Sequence, residues 1–392
     1  MPVVPSTRDH PRSALFAEFR AAEFPWADRA VYLNHASTGP VPERAQRAID
    51  DVERKRREAY RLEGTEHEPI MAAARAAAGR LIGADSAEIA LAPNTSYGIN
   101  MAAQVLPLGA GDVVLVPDGE FPANVYPWLL LARRGVEVEL VPRTAQGWPD
   151  EARLLDRVDD PRVRAVAISL VQFANGYRVD LARLSAACRA RGVFLVLDAI
   201  QGLGQIPFDV RRTPVDLLAC GAQKWLLSPW GTGFLYVRRE LIAELAPRFT
   251  GWLAFQGTED FGRLTDYDPT FRPDARRYEL VTLPYHDLAG MTASLGLIAE
   301  AGVERIAAHL RALREPVLDA ARRGAFAVTS PTDEVHDSAI WGVRPVDVEA
   351  AHRRLRAGGV TCSVREGGVR LSPHFYNTVD EIERVVGLLE GR

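Results

Sequence analysis

The chain has 392 residues, 47% hydrophobic and 25% charged, which is the composition of a globular protein and excludes a mainly disordered one. With 47 basic against 51 acidic residues the formal charge is −4 and no long one-sign block occurs, so nucleic acid is not an expected partner. Three separated cysteines make neither a disulfide pattern nor a zinc knuckle, residues 1–6 lack a signal-peptide pattern and no apolar run is long enough for a membrane span. A cytoplasmic location with no membrane partner is therefore expected.

In chain order, residues 11–19 predict a short helix, Val31-Tyr32-Leu33-Asn34-His35 an extended entry and Gly39-Pro40-Val41-Pro42 a turn. Stretches 43–60 and 69–81, rich in alanine, arginine and glutamate, predict helices, the second ended by Gly83. From residue 88 short apolar runs at 89–91, 113–117, 136–140, 163–169, 193–197, 217–219 and 233–237 predict strands. Helices are expected between them at 96–105, 123–134 and 181–191. Continuous apolar strands separated by helices predict an α/β protein with a mainly parallel sheet covered on both faces, its working loops at the carboxyl ends of the strands. Beyond residue 282 the pattern becomes two long helices, 284–301 and 303–322. Short strands at 325–329, 339–342, 360–363 and 369–371 follow, with helices at 347–356 and 379–389. The expected division is a large domain over 66–282 and a smaller α+β domain over 283–392, with segment 1–65 contributing to the small domain.

Three segments carry candidate chemistry. Phe194-Leu195-Val196-Leu197 delivers Asp198 at a strand end, where it either holds a ligand or caps the following turn. Lys224, one of only two lysines with Lys55, lies between apolar stretches, where burial lowers the pKa of an amine and makes it nucleophilic. Asn94-Thr95-Ser96 opens a helix whose hydroxyls and N–H groups either hold a phosphate or cap the helix. Neither a P-loop nor a Rossmann fingerprint is present. The combination suits a phosphate-bearing aldehyde better than a nucleotide.

These segments occur in order with Tyr32-Leu33-Asn34, Glu120-Phe121-Pro122, Asp198-Ala199-Ile200-Gln201, Gln223-Lys224-Trp225 and Gly231-Thr232-Gly233. The tail adds Val369-Arg370-Leu371-Ser372-Pro373-His374-Phe375-Tyr376-Asn377-Thr378. Together they resemble the class V aminotransferase family of pyridoxal-phosphate enzymes, and the motif pattern is most similar to that of isopenicillin-N-epimerase-like and carbon–sulfur-lyase-like members. The resemblance implies the fold-type-I arrangement, pyridoxal 5′-phosphate as cofactor and a homodimer with active sites near the subunit boundary. It makes Lys224 the Schiff-base lysine and proton shuttle, and places Asp198 against the pyridine nitrogen. Thr95 and Ser96 match the phosphate-binding turn, Gln223 a polar phosphate or ring contact, Gln201 a contact near the ring oxygen or imine, and Phe121 the ring-stacking position. Gln172 falls at another strand-end contact site. Arg370 matches the arginine that grips the substrate carboxylate through two parallel hydrogen bonds, with Asn34 and His35 in the segment that closes over substrate and residues 1–65 helping to cover the site. Phe121 could instead fill the core, the glutamines cap local backbone and His35 cap a turn.

Two departures matter. The mobile loop that carries the nucleophilic cysteine of desulfurases is absent, which leaves Cys362 as a strand cysteine. Many relatives have Gly-Thr where this chain has Val281-Thr282, so Thr282 is the expected phosphate contact across the dimer. The implied activity is a transformation of a small amino acid through an external aldimine and α-proton abstraction, with epimerisation or carbon–sulfur β-elimination preferred. The alternatives are a class V aminotransferase, a desulfurase-like enzyme and a non-catalytic pyridoxal-phosphate-binding protein.

Overall fold

The apolar runs form strands whose successive side chains feed two separate cores. Val113, Leu115, Val166, Ile168, Leu195, Leu197 and Leu218 pack into one cluster. Their strand neighbours Val114, Val116, Ala165, Ala167, Val196, Leu217 and Ala219 pack into the other. Side chains alternate across a pleated strand, so a strand covered on both faces must be apolar at every position. That requirement is why these segments show no polar alternation.

In the computed structural model, which describes residues 11–61, 67–280 and 282–392, these strands make one seven-stranded sheet. Residues 1–6, read above for targeting, and Val281 lie outside the described residues. Across the sheet the order is Ile89–Leu91, Gly233–Val237, Leu217–Gly221, Phe194–Asp198, Val163–Ser169, Val113–Pro117 and Glu137–Val141. Gly233–Val237 is antiparallel to both neighbours, and the remaining pairings are parallel. The expected mainly parallel, fold-type-I sheet is therefore present. Helix Thr95–Val105 packs against Leu217–Gly221, and the residues following the ends of Val113–Pro117, Val163–Ser169 and Phe194–Asp198 converge on one edge.

The smaller α+β unit has a four-stranded antiparallel sheet in the order Ser363–Arg365, Gly368–Leu371, Trp341–Arg344 and Ala327–Val328. Helices Val303–Arg322 and Val348–Ala357 both pack on Val379–Glu390. The N-terminal strand Val31–Tyr32 pairs in parallel with Val360–Thr361, and Asn34 bridges to Ser372. The segment before the large domain is thus stitched into the tail of the chain.

Several elements differ from expectation, among them the strand at 360–363, which is two: Val360–Thr361 beside Val31–Tyr32, and Ser363–Arg365 in the four-stranded sheet. The helix over 123–134 is broken into a turn at Pro122–Asn124, one α turn at Tyr126–Leu129 and a tighter turn at Leu130–Arg134, because Pro127 has no N–H to continue the ladder. The strand at 339–342 starts instead at Trp341, since the Ala339 N–H is taken by Gln205 Oε1 and that of Ile340 by Ser338 Oγ. A helix at Glu151–Val158 goes unpredicted although Asp150 caps it by accepting from the Arg153 N–H at 3.0 Å. Among the described residues no helix is long and apolar enough to cross a membrane.

Candidate active site

Asp198 closes its strand in register with Ser169 on one side and Ala219 on the other. Its side chain is buried, and Oδ1 accepts from the Ile200 N–H at 3.0 Å. Burial pushes its pKa up to about 7; Glu120 adds to that rise, while the Ile200 N–H and Lys224 oppose it. Lys224 stands in the loop after Leu217–Gly221, with Nζ 5.6 Å from the centre of the Phe121 ring. Burial pulls its pKa down to about 8, against the charge of Asp198 and with that of Arg370 and Arg365. Phe121 is 45% exposed and meets Phe173 edge to face at 5.2 Å, so it presents an open ring face and does not fill the core.

A corner suited to an anion lies at the start of Thr95–Val105. Asn94 caps this helix by accepting from the Tyr97 N–H at 2.9 Å, and Ser96 is exposed on its first turn. Thr95 Oγ1 accepts from the Gly221 N–H at 2.8 Å, which leaves its own proton to donate. A Cβ on Gly221 would lie 2.6 Å from Gln223 Oε1 and 3.3 Å from the Thr95 nitrogen, so a side chain there would push the Gln223 amide aside. Gln223 Oε1 is itself buried without a hydrogen-bond partner. The two ends of an amide are assigned from their surroundings, and the reverse orientation offers Nε2 to an anion. A helix N-terminus, a free hydroxyl proton, an unmatched amide and a buried carboxyl are groups that suit a phosphate-bearing pyridine such as pyridoxal phosphate.

Arg370 forms the opposite wall. It is 2% exposed and has no carboxylate partner among the described residues. Nε donates to Ser363 Oγ at 3.2 Å, Nη1 to the Phe173 carbonyl at 2.6 Å and Nη2 to Ser37 Oγ at 2.7 Å. A guanidinium has five N–H groups, so one remains on each terminal nitrogen, the number a carboxylate needs. Burial pulls its pKa down to about 10, with Arg365 adding to the fall. Ser37 passes its own proton to Asn34 Oδ1 at 2.8 Å, so Asn34 orients the hydroxyl that orients Arg370.

The remaining expected residues divide. Gln172 is buried with its amide nitrogen 2.6 Å from Glu120 Oε1. Thr282 is exposed with φ of 59°, away from the core of its own chain. Two more are held by hydrogen bonds within the chain. His35 does not face the cleft: it is fully buried, with Nδ1 at 2.8 Å from the Ser372 carbonyl and Nε2 at 2.9 Å from the Tyr376 hydroxyl, which assigns the proton to Nδ1. Gln201 Nε2 donates to the Ala36 carbonyl at 2.9 Å and Oε1 accepts from Trp225 Nε1 at 2.9 Å. It ties the residue after Lys224 to the N-terminal segment. Gly39 completes that seam, since a Cβ there would lie 2.1 Å from the Lys224 carbonyl oxygen.

Sequence reasoning missed Ser37, Ser363, Arg365 and the role of Glu120. Ser363 lies opposite Arg370 in the hairpin register, and Arg365, two residues on, shares the Ser363 face of its strand. That alternation was the available signal. The cysteines are all buried, with the Cys188 and Cys362 thiols pushed up to about 12 by burial and that of Cys220 pushed well up.

A profile of the family described as aminotransferase class-V matches residues 31–385. A probable cysteine desulfurase of Methanothermobacter thermautotrophicus is 30% identical over 92% of this chain and 94% of its own length. The isopenicillin N epimerase of Streptomyces clavuligerus is 29% identical over 92% and 94%. The apo cysteine desulfurase of Thermococcus onnurineus superimposes with a TM-score of 0.84 at 20% identity, over 95% of this chain and 97% of that one. Against the expected epimerisation or carbon–sulfur β-elimination, these names favour the desulfurase-like and aminotransferase alternatives, and they do not separate one reaction from another.

Proposed function

The chain belongs to the class-V aminotransferase family of pyridoxal-phosphate enzymes, and from that premise we propose that it cleaves a carbon–sulfur bond in a small, cysteine-like amino acid. The amino-acid part of this reading is carried by the pairing of an amine of lowered pKa, Lys224, with a buried guanidinium that has two uncommitted N–H groups and no acid among the described residues; the carbon–sulfur part is supported by the names of the chain's relatives. Bound pyridoxal phosphate supplies an aldehyde carbon for the substrate amine and a ring that accepts the electron pair left when the α proton departs. Arg370 holds the substrate carboxylate end-on and thereby turns the α hydrogen toward Lys224. Lys224 Nζ, drawn toward its neutral form by burial, takes the α proton and later returns one. Asp198 keeps a negative charge beside the ring nitrogen, Phe121 covers one ring face, and Thr95, Ser96 and Gln223 hold the phosphate. Thr282 reaches the phosphate of a second copy in a homodimer, whose boundary would cover Trp230 and Tyr267, 74% and 87% exposed in the single chain.

The buried cysteines bear on the route. With every thiol buried and raised in pKa, sulfur leaves by elimination or passes to an external thiol, not to the chain's own cysteine. Transamination is the second reading, supported by the family's name and the same Lys224 and Arg370. The test is a panel of cysteine, cystine, alanine and glutamate in deuterated water with an external thiol. Pyruvate or alanine formed together with sulfide or persulfide is expected. A D-isomer without sulfur release would replace this reading with epimerisation, and keto acid formed only with an amino acceptor would replace it with transamination.

A further inference from the structure

Between the Asp198 strand and Phe121 lies a carboxylate that the chemistry above leaves unused. Glu120 is 5% exposed, and its four partners are donors, none of them a cation. Oε1 accepts from the Ser169 N–H at 2.7 Å and from Gln172 Nε2 at 2.6 Å, while Oε2 accepts from Asn124 Nδ2 at 3.2 Å and from the Ser169 hydroxyl. Four donors on two oxygens suit an ionised group that only accepts. Burial holds the Glu120 pKa above the ordinary carboxylate value, and these hydrogen bonds limit the rise. An apolar residue would serve stability as well as a buried charge, so the charge calls for another account.

The donors come from the strand ends that frame the cofactor. Glu120 follows strand Val113–Pro117, Ser169 ends its strand in register with Asp198, and Gln172 follows Ser169. Phe121 leads into the turn Pro122–Asn124, and the Asn124 amide returns to Glu120, so the turn that carries Phe121 is held at both ends. One group therefore ties the Phe121 ring, the Gln172 amide and the edge on which Asp198 stands. Its charge also reaches Asp198 through the interior.

We infer that Glu120 is a positioning residue for the cofactor ring: its carboxylate locks Phe121 and Gln172 relative to Asp198, so that the ring is held at its face and its nitrogen together. The inference rests on the reading that this cleft holds pyridoxal phosphate. Glu120→Gln keeps the volume and removes the charge. Ser169→Ala, which removes one donor, is the milder variant should the first not fold. Two measurements besides turnover decide it: the pyridoxal-phosphate dissociation constant by equilibrium dialysis, and the pH midpoint of the bound cofactor's visible absorption. Glu120→Gln is expected to bind the cofactor about tenfold more weakly and Ser169→Ala about threefold, a scale set by lost charge-assisted hydrogen bonds. The midpoint moves to lower pH, because losing a buried negative charge disfavours the protonated cofactor. Glu120→Gln should weaken binding less on a Phe121→Ala background than in the parent, since part of its effect passes through Phe121. Parental binding and midpoint in both variants, or full additivity with Phe121→Ala, would overturn the inference while leaving the family reading intact. A parent protein that took up no cofactor would overturn both.

Discussion

Arg75 and Arg370 are both buried arginines, yet one is closed and the other is open. Arg75 makes two 2.8 Å hydrogen bonds to the Glu279 carboxylate, which also accepts from the Leu91 N–H at 2.9 Å. Arg370 is as deeply buried but faces two hydroxyls and a carbonyl. The Arg75 locus is charge-neutral and finished, and holds the strand that leads into the phosphate turn. The strand-end cleft instead keeps Lys224, Asp198 and Arg370 apart from any direct ion pair among the described residues, with pKa values moved by burial. Unpaired charge under cover is a sign of a group awaiting a ligand, and the contrast can be broken by substitution on either side.

The largest effect is expected for Lys224→Ala. Loss of the group that moves the α proton should reduce turnover about a thousandfold or more, while the apoprotein melts no earlier than the parent because a buried amine has gone. Activity within tenfold of parental would place the proton transfer elsewhere. On the closed side, Glu279→Ala strands Arg75 and the Leu91 N–H, and unfolding in urea should show a loss of about 3–5 kcal/mol. Turnover per folded molecule should stay near parental; a collapse of activity at unchanged stability would erase the distinction between the two loci.

Asp198→Asn sits between these. It keeps shape but removes the counter-charge of the ring nitrogen, and about a hundredfold loss of turnover is expected with apoprotein stability within about 1 kcal/mol of the parent. Parental turnover with saturated cofactor would remove Asp198 from the chemistry. Arg370→Lys keeps the charge and loses the fork, so kcat/KM should fall about tenfold or more for an amino acid and far less for its decarboxylated amine. Equal losses would make Arg370 a structural residue like Arg75.

The legible part of this molecule is the part set by local period. Asp198 and Lys224 follow apolar strands, and a strand covered on both faces leaves few ways to place the residue after its end. The Arg370 surroundings are a meeting of distant segments: Ser37 approaches from the N-terminal segment, Phe173 from the large domain and Ser363 from the adjacent strand. No spacing rule announces such a meeting. His35 and Gln201 show the same limit in reverse, since polar residues beside a motif were drawn into the scaffold by Ser372, Tyr376, Ala36 and Trp225. The strand at Trp341–Arg344 slipped because Gln205 and Ser338 compete for its first N–H groups, a contest that apolar patterning does not register.

The smallest expected effect is the most direct reading of the open side. Only a neutral amine condenses with an aldehyde, and Lys224 is pulled to about 8 by burial, with Arg370 and Arg365 assisting. The rate at which apoprotein takes up pyridoxal phosphate should therefore rise about tenfold between pH 7 and pH 9 and then level, as the neutral fraction goes from about a tenth to about nine tenths. A lysine at its ordinary pKa would rise about a hundredfold over that interval and still be climbing at pH 9. Arg365→Ala sharpens the test because a positive neighbour disfavours the charged amine. Its removal raises the Lys224 pKa, so the midpoint should move to higher pH by a few tenths of a unit, a shift that added salt shrinks in the parent because Arg365 is exposed. A midpoint above pH 10 in the parent, or one that Arg365→Ala lowers, would mean that Lys224 is as ordinary a surface cation as the paired arginines are ordinary structural ones.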